Sequence, residues 1–101
     1  MKAVVIAAAA ALALSAGAAS ADQALAQKYA CLSCHQVDKK VVGPAFKDVA
    51  KKYKGDGKAA AHLEEVIHKG GKGVWGNIPM PPHPQVSDAD AKKLVDWVLS
   101  L

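Results

Sequence analysis

The stretch Cys31-Leu32-Ser33-Cys34-His35 puts two thiols three positions apart and an imidazole directly after the second thiol. These are the only 2 cysteines in the 101-residue chain. A disulfide between them would close a very small loop, so it would constrain little of the unfolded chain. The two cysteines are therefore expected to bind or react with another group rather than to stabilise the fold as a disulfide.

The C-x-x-C-H pattern is typical of covalent haem attachment. Two thiols can add to the two vinyl groups of a porphyrin, and the imidazole that follows is then delivered to the iron. A redox disulfide is an alternative, but it belongs with a strand-containing, thioredoxin-like pattern that this sequence lacks. Half of a zinc site is another, but there is no second cysteine pair. We predict that Cys31 and Cys34 hold one haem c and that His35 is an iron ligand.

The first 21 residues differ in composition from the rest of the chain. Lys2 is followed by an unbroken apolar run, Ala3 to Leu14, and then by small residues ending in Ala19-Ser20-Ala21. This order is typical of a cleaved secretory signal. A retained membrane anchor is the alternative, but the apolar run is short for crossing a bilayer. We predict a signal peptide over 1–21, a single domain over 22–101, export to the periplasm and no stable membrane insertion afterwards.

Lysine supplies all of the positive charge, since the sequence contains no arginine. The formal net charge of +4 falls to +3 when Lys2 is removed with the signal. Nucleic-acid binding usually clusters lysine and arginine on one motif, so no nucleic-acid partner is expected. Docking to an acidic protein is the better fit, although a merely solvated surface is the alternative. The lysines near the cysteine motif that could surround a haem edge are Lys28, Lys39, Lys40 and Lys47.

Apolar spacing predicts an all-α domain of about four short helices wrapped around the haem. We expect the first helix to run into Cys31, Asp56 to cap the third, and Ser87 with Asp90 to form a capping box that opens the fourth. So small a domain usually needs a cross-link, metal or cofactor for stability. The apolar positions are Leu25, Tyr29 and Leu32; Phe46, Val49, Ala50 and Tyr53; Leu63, Val66 and Ile67; and Ala91, Leu94, Val95 and Val98.

The sixth iron position has one favoured candidate. Met80 is the only methionine of residues 22–101 and lies in a long proline-rich connection, within Pro79-Met80-Pro81-Pro82. Proline stiffens such a segment without making it helical. A lone methionine is more often a core gap-filler, but one held between prolines is badly placed to pack on a helix. With a haem inferred, we predict Met80 as the axial ligand in preference to His62, His68 or His83.

The chain resembles the small bacterial class I cytochromes c over essentially all of residues 22–101. Besides the cysteine motif, the resemblance includes Val42-Gly43-Pro44-Ala45, Gly73-Val74-Trp75-Gly76, Ile78-Pro79-Met80-Pro81-Pro82 and Val86-Ser87-Asp88-Ala89-Asp90-Ala91. These cytochromes are monohaem periplasmic carriers that pass electrons to nitrite reductases and terminal oxidases. The resemblance therefore implies the class I cytochrome c fold and a role in respiratory electron transfer.

The resemblance also implies roles for individual residues. Pro44 should offer its backbone oxygen to the second nitrogen of His35, and Trp75 should donate its indole N–H to a haem propionate. A core aromatic without a polar task is the alternative for Trp75. Two positions depart from the family pattern: His83 stands where relatives commonly have an asparagine, and Val66 where they often have a basic residue. Their effect on the iron potential is left open.

An iron ligated by His35 and Met80 has no vacant position, so we expect an electron carrier rather than an enzyme. Two rivals remain: a five-coordinate haem enzyme or gas sensor in which Met80 is only structural, and a haem-free exported thiol protein. The visible spectrum and the presence of covalently bound haem separate the three. The sequence names neither the electron donor nor the acceptor, and a monomer is expected for a shuttle.

Overall fold

The structure, a computed structural model, describes residues 22–101. This range contains four α-helices and one short 3-10 turn, joined by loops. The helices are α1 over 22–28, α2 over Phe46–Lys52, α3 over Ala59–Lys69 and α4 over Asp88–Leu99. Residues 22–101 contain no β-strand, so the all-α prediction is confirmed. No helix in this range is long and apolar enough to cross a membrane. The predicted signal peptide, 1–21, lies outside the described residues.

The first helix does not run into Cys31, contrary to the prediction. It ends at residue 28, and Ala30 adopts a left-handed conformation with φ 60°. That conformation is costly for a residue with a Cβ atom, and it turns the chain so that Cys31–Ser33 form a separate 3-10 turn. The turn is closed by the His35 amide, which donates to the Cys31 carbonyl at 3.0 Å. The cysteine motif is therefore a compact loop of its own.

The N-terminal end of α3 is made differently from the prediction, whereas its C-terminal cap is Gly70. Its N-cap is Lys58 rather than Asp56, and Asp56 instead accepts a hydrogen bond from the Lys58 amide at 2.9 Å in the preceding turn. At the other end, His68 lies 2.8 Å from the Val86 carbonyl through Nε2, so it is not an ordinary surface residue. This bond fastens the end of α3 to the segment that leads into α4.

Ser87 caps α4 as predicted, since its hydroxyl accepts a hydrogen bond from the Asp90 amide at 3.1 Å. Asp90 does not complete the expected capping box by a return bond to the Ser87 amide. Its carboxylate instead accepts a hydrogen bond from the Tyr29 hydroxyl at 2.6 Å. The first turn of α4 is thereby tied to the residue that follows α1.

The core consists of two small apolar clusters that meet at Trp97. One contains residues of α1 and α4, and the other residues of α2 and α4, with Trp97 packed against both. Trp97 therefore has a structural role, since it joins α4 to both clusters. Because α4 also contacts α3, it is the element around which the others are arranged. The buried members are Ala26, Val86, Ala91 and Leu94 in the first cluster and Phe46, Val49 and Val98 in the second.

We predict that Tyr29→Phe lowers the denaturant midpoint of unfolding at neutral pH. The Tyr29 hydroxyl holds the pKa of Asp90 below its usual value of 3.8, and the Asp90 carboxylate raises the pKa of Tyr29 above its usual 10.0. A carboxyl whose pKa is depressed on folding stabilises the fold above its unfolded pKa, and this is lost as pH falls through the folded value. A phenol whose pKa is raised on folding loses its contribution as pH rises through the folded value.

The loss of stability in Tyr29→Phe should therefore be largest at pH values between the titration of Asp90 and that of Tyr29. It should become smaller in acid and in strong base. Tyr53→Phe is the matched control, since the Tyr53 hydroxyl makes no hydrogen bond within residues 22–101. An equal loss in both variants, or a deficit that persists unchanged at pH 2, would contradict the assignment.

Candidate haem site

A cleft of about 460 Å³ brings together every site residue predicted from the sequence. The cysteine motif, the α3 helix and the connection between α3 and α4 all contribute to its lining. The predicted residues that line it are Cys31, Cys34, His35, Pro44, Trp75 and Met80. Cys31 and Met80, which are 49 positions apart in the sequence, thus share one surface.

The two thiols are both free and half-buried at the cleft. Burial raises the pKa of the Cys31 thiol, and the nearby Cys34 adds to the effect. In residues 22–101, no three His, Cys, Asp or Glu side chains gather as a metal-binding group. The cleft that the thiols line is mainly apolar.

The His35 imidazole is oriented by the segment that follows it. Its Nδ1 lies 2.8 Å from the Pro44 carbonyl oxygen, the contact that the resemblance implies. A carbonyl can only accept, so the hydrogen is on Nδ1 and the neutral ring keeps an unprotonated Nε2. Gly43 makes this possible, because a Cβ at that position would lie 2.5 Å from His35 Cε1.

Met80 is held in position through its backbone. Its amide donates to the Gly71 carbonyl at 2.7 Å and its carbonyl accepts from the Gly71 amide at 3.1 Å, which fastens the proline-rich segment to the end of α3. Gly70 has φ +79°, and a Cβ there would come within 2.6 Å of the Met80 carbonyl. Only glycine fits this close approach without strain. The thioether is thus presented to the cleft by a segment with little freedom to move.

Large apolar side chains at the cleft remain exposed to solvent. Trp75 is 40% exposed and Ile78 is 66% exposed, with Val42 and Val74 also exposed in the lining. Trp75 lines the cleft and belongs to neither core cluster. The Lys52 ammonium lies 5.8 Å from the centre of the Trp75 ring. A contiguous apolar surface of this kind marks a binding site.

The four remaining candidates for iron or tuning roles lie in different surroundings. His62 is exposed at the cleft, and His68 is bonded to Val86 away from it. Val66 lines the cleft and also a smaller, adjoining cavity of about 90 Å³ within the core. His83 lines the cleft, and its Nδ1 is buried without a hydrogen-bond partner among residues 22–101.

The residues present fit a covalently held haem. Two thiols, an imidazole with a free nitrogen and a thioether converge on one apolar cavity, and nitrogen and sulfur are the donors that haem iron takes in electron-transfer proteins. The buried Nδ1 of His83 lacks a hydrogen-bond partner among residues 22–101, which costs free energy. The apolar lining is stabilised when a bound group removes it from water.

Sequence reasoning missed several residues that shape the site. Phe46 was assigned to the core, yet its ring also stacks on His35 with centroids 4.9 Å apart. Lys69 and Lys72 line the cleft together with Lys40 but were not among the expected docking lysines. The Gly43-Pro44 pair was a usable signal, because a glycine before a proline often marks a close backbone approach. No local pattern identifies a stacking partner 11 residues away.

A family model described as cytochrome c matches residues 17–101. The chain belongs to the cytochrome c family. Cytochrome c-552 of Nitrosomonas europaea is 58% identical over 88 residues, covering 87% of this chain and 85% of that protein. Cytochrome c-551 of Allochromatium vinosum is 52% identical over 83 residues, covering 82% of this chain and 88% of that protein.

Solved structures of cytochromes c share the fold. The crystal structure of wild-type Nitrosomonas europaea cytochrome c552 matches with TM-score 0.76 at 57% identity, covering 78% of this chain and 98% of that one. The class 1 cytochrome MtoD of Sideroxydans lithotrophicus ES-1 matches with TM-score 0.66 at 35% identity, covering 80% and 92%. The class I cytochrome c fold expected from the sequence is confirmed. As a cytochrome c, the chain is a haem-based electron carrier with one covalently attached haem c, not an enzyme.

We predict that Gly43→Ala displaces the His35 imidazole from the Pro44 carbonyl, because the new methyl group would overlap the ring. The haem-loaded protein should lose roughly 1–3 kcal/mol of unfolding free energy, the usual effect of overpacking. The visible spectrum of its oxidised form should also change, because the imidazole moves within the haem cleft.

Gly57→Ala is the matched control, since a Cβ at that position meets nothing within 4 Å. Denaturant unfolding and the oxidised visible spectrum measure both effects. Two variants that behave alike would show that Gly43 is not needed for the position of the imidazole.

Proposed function

We propose that this cytochrome c is an exported, monomeric carrier of single electrons in the periplasm. In this proposal Cys31 and Cys34 form the thioether links, and His35 and Met80 are the axial iron ligands. The observation that carries the proposal is the convergence of these four side chains on one cleft, with His35 and Met80 both fastened by backbone groups. The donor is a cytochrome c reductase and the acceptor a nitrite reductase or a terminal oxidase.

His35 serves the iron through Nε2. Its Nδ1–H donates to the Pro44 carbonyl, so in the neutral imidazole the lone pair is on Nε2. A ligating histidine commonly donates its second N–H in this way, which fixes the ring and increases its basicity. Because His35 directly follows Cys34, its imidazole would lie close to a haem that the two cysteines hold.

Met80 closes the remaining iron position. Its two backbone bonds to Gly71 support the thioether in the absence of a helix. When bound, haem c supplies an iron that alternates between Fe(II) and Fe(III) by gain or loss of one electron. With both axial positions taken, a substrate or gas must displace a protein ligand to reach the metal. Outer-sphere electron transfer is the reaction that such a site favours, and a thioether ligand raises the potential.

The docking surface surrounds the cleft. Lys40, Lys69 and Lys72 line its margin, and Lys69 lies 3.8 Å from Glu65 in an exposed pair. Of the lysines expected from the sequence, Lys47 is engaged by Asp38 at 2.6 Å, so its charge is partly neutralised. Lys40 and Lys72 are therefore the lysines that we assign to steering an acidic redox partner.

The ligation is tested with Met80→Ala. The purified wild-type chain should carry the mass of one haem and, when oxidised, show the far-red band of methionine ligation. Met80→Ala should keep the haem but lose this band and bind imidazole or cyanide far more readily, since the iron position is open. A double variant, Cys31→Ala with Cys34→Ala, should leave the chain without covalent haem.

His62→Ala is the control for Met80→Ala, because His62 also lines the cleft but has no ligand role in the proposal. A wild-type spectrum with high-spin, open-site features would favour the rival five-coordinate enzyme or sensor. A processed wild-type chain without added haem mass, from a host able to attach it, would end the proposal.

Steering by the cleft lysines predicts a salt-dependent reaction. Lys40→Gln combined with Lys72→Gln should slow oxidation by the anion hexacyanoferrate(III) at least about twofold at low ionic strength. The difference from wild type should close as salt is added, because exposed charges are screened.

Lys54→Gln combined with Lys58→Gln removes the same charge from the turn between α2 and α3 and is the matched control, since neither lysine lines the cleft or pairs with a carboxylate within residues 22–101. Equal slowing in both double variants would mean that only net charge matters. A rate for the host's nitrite reductase that does not depend on ionic strength would contradict lysine-guided docking.

A further inference from the structure

We infer that Phe46 is a positioning residue whose stacked ring fixes the plane in which the His35 imidazole meets the haem iron. The inference rests on the proposed ligation by His35. It assigns Phe46, which otherwise reads as a core aromatic, a role in setting the electronic properties of the iron.

Three contacts act on different sides of the imidazole. The Pro44 carbonyl holds Nδ1 at 2.8 Å, and the Gly43 backbone is so close to Cε1 that a Cβ would sit 2.5 Å away. The Phe46 ring covers one face, with centroids 4.9 Å apart and planes inclined by 19°. A single hydrogen bond would still let the ring pivot about the N–H···O line. The stacked ring blocks this pivot.

Phe46 can act in this way only if its own ring is fixed. It is the first residue of α2, and its amide donates to the Gln36 carbonyl at 2.9 Å, next to His35 in the chain. Its ring is only 7% exposed and meets Trp97 edge-on at 5.5 Å and 71°. The ring is thus held between His35 and the central helix α4, so it cannot follow a rotation of the imidazole.

The orientation of an axial imidazole matters to an electron carrier. The ring plane determines how the π orbital of the imidazole overlaps the d orbitals of iron, and neighbouring groups that fix this plane tune the metal. A ring that cannot rotate also changes little between the two oxidation states, so less rearrangement accompanies each electron transfer. Phe46 would thus affect both the potential and the rate without touching the iron.

The test uses the haem-loaded protein and low-temperature EPR of its oxidised form, since the g values of low-spin haem depend on the orientation of the axial ligands. Phe46→Leu keeps an apolar side chain but removes the flat face. We expect shifted or broadened g values and a changed midpoint potential. Phe46→Tyr restores the flat ring and should restore both wild-type values.

Val98→Ala removes apolar volume from the same core cluster and controls for loss of packing. It should lower the unfolding midpoint without moving the g values. Val98→Ala should keep the wild-type g values and potential. If Phe46→Leu keeps them too, the inference is wrong. If Phe46→Leu does not accumulate with haem, Phe46→Met fills the same volume with a flexible chain and is judged by the same criterion. Failure of the proposed function would show separately, as a wild-type protein without methionine-ligated, low-spin haem.

Discussion

The hydrogen bond between His35 Nδ1 and the Pro44 carbonyl is the contact on which the rest of the site depends. It selects the tautomer that leaves Nε2 free, and it draws the loop after the cysteine motif back over the imidazole. The loop can approach this closely only because Gly43 has no side chain to meet the ring. Once the loop is closed, Phe46 and the start of α2 follow at a fixed distance from His35.

A domain of this size buries little apolar surface, so its core alone gives it little stability. Its buried core is two small clusters joined through Trp97, while large apolar side chains at the cleft stay exposed. Apolar surface left in water gives no stabilisation, and small domains have little core to spare. A covalently held haem removes this surface from water, so the group that carries the electron also completes the core. The same cleft therefore contributes to both electron transfer and the stability of the fold.

The prediction from sequence was best where a short pattern has a local physical cause. Ser87 caps α4 because a hydroxyl can reach an amide three residues on, and the cysteine motif has the spacing that attachment requires. It was wrong where local alternatives are close in energy. Asp56 bonds the Lys58 amide in a turn instead of capping α3, and left-handed Ala30 ends the first helical segment before Cys31. Turns and caps use the same side-chain oxygens, so spacing alone does not choose between them.

By itself the sequence determined the chemistry of this protein: two thiols, an imidazole and a thioether in an order that also indicates the family. Only the tertiary structure decided how these groups are held. Met80 pairs with Gly71 across 9 positions, and Phe46 stacks on His35 across 11. Lys40 and Lys72, which line one cleft, are 32 positions apart. Such contacts depend on how the helices pack against α4, and no periodicity within a single segment encodes that packing.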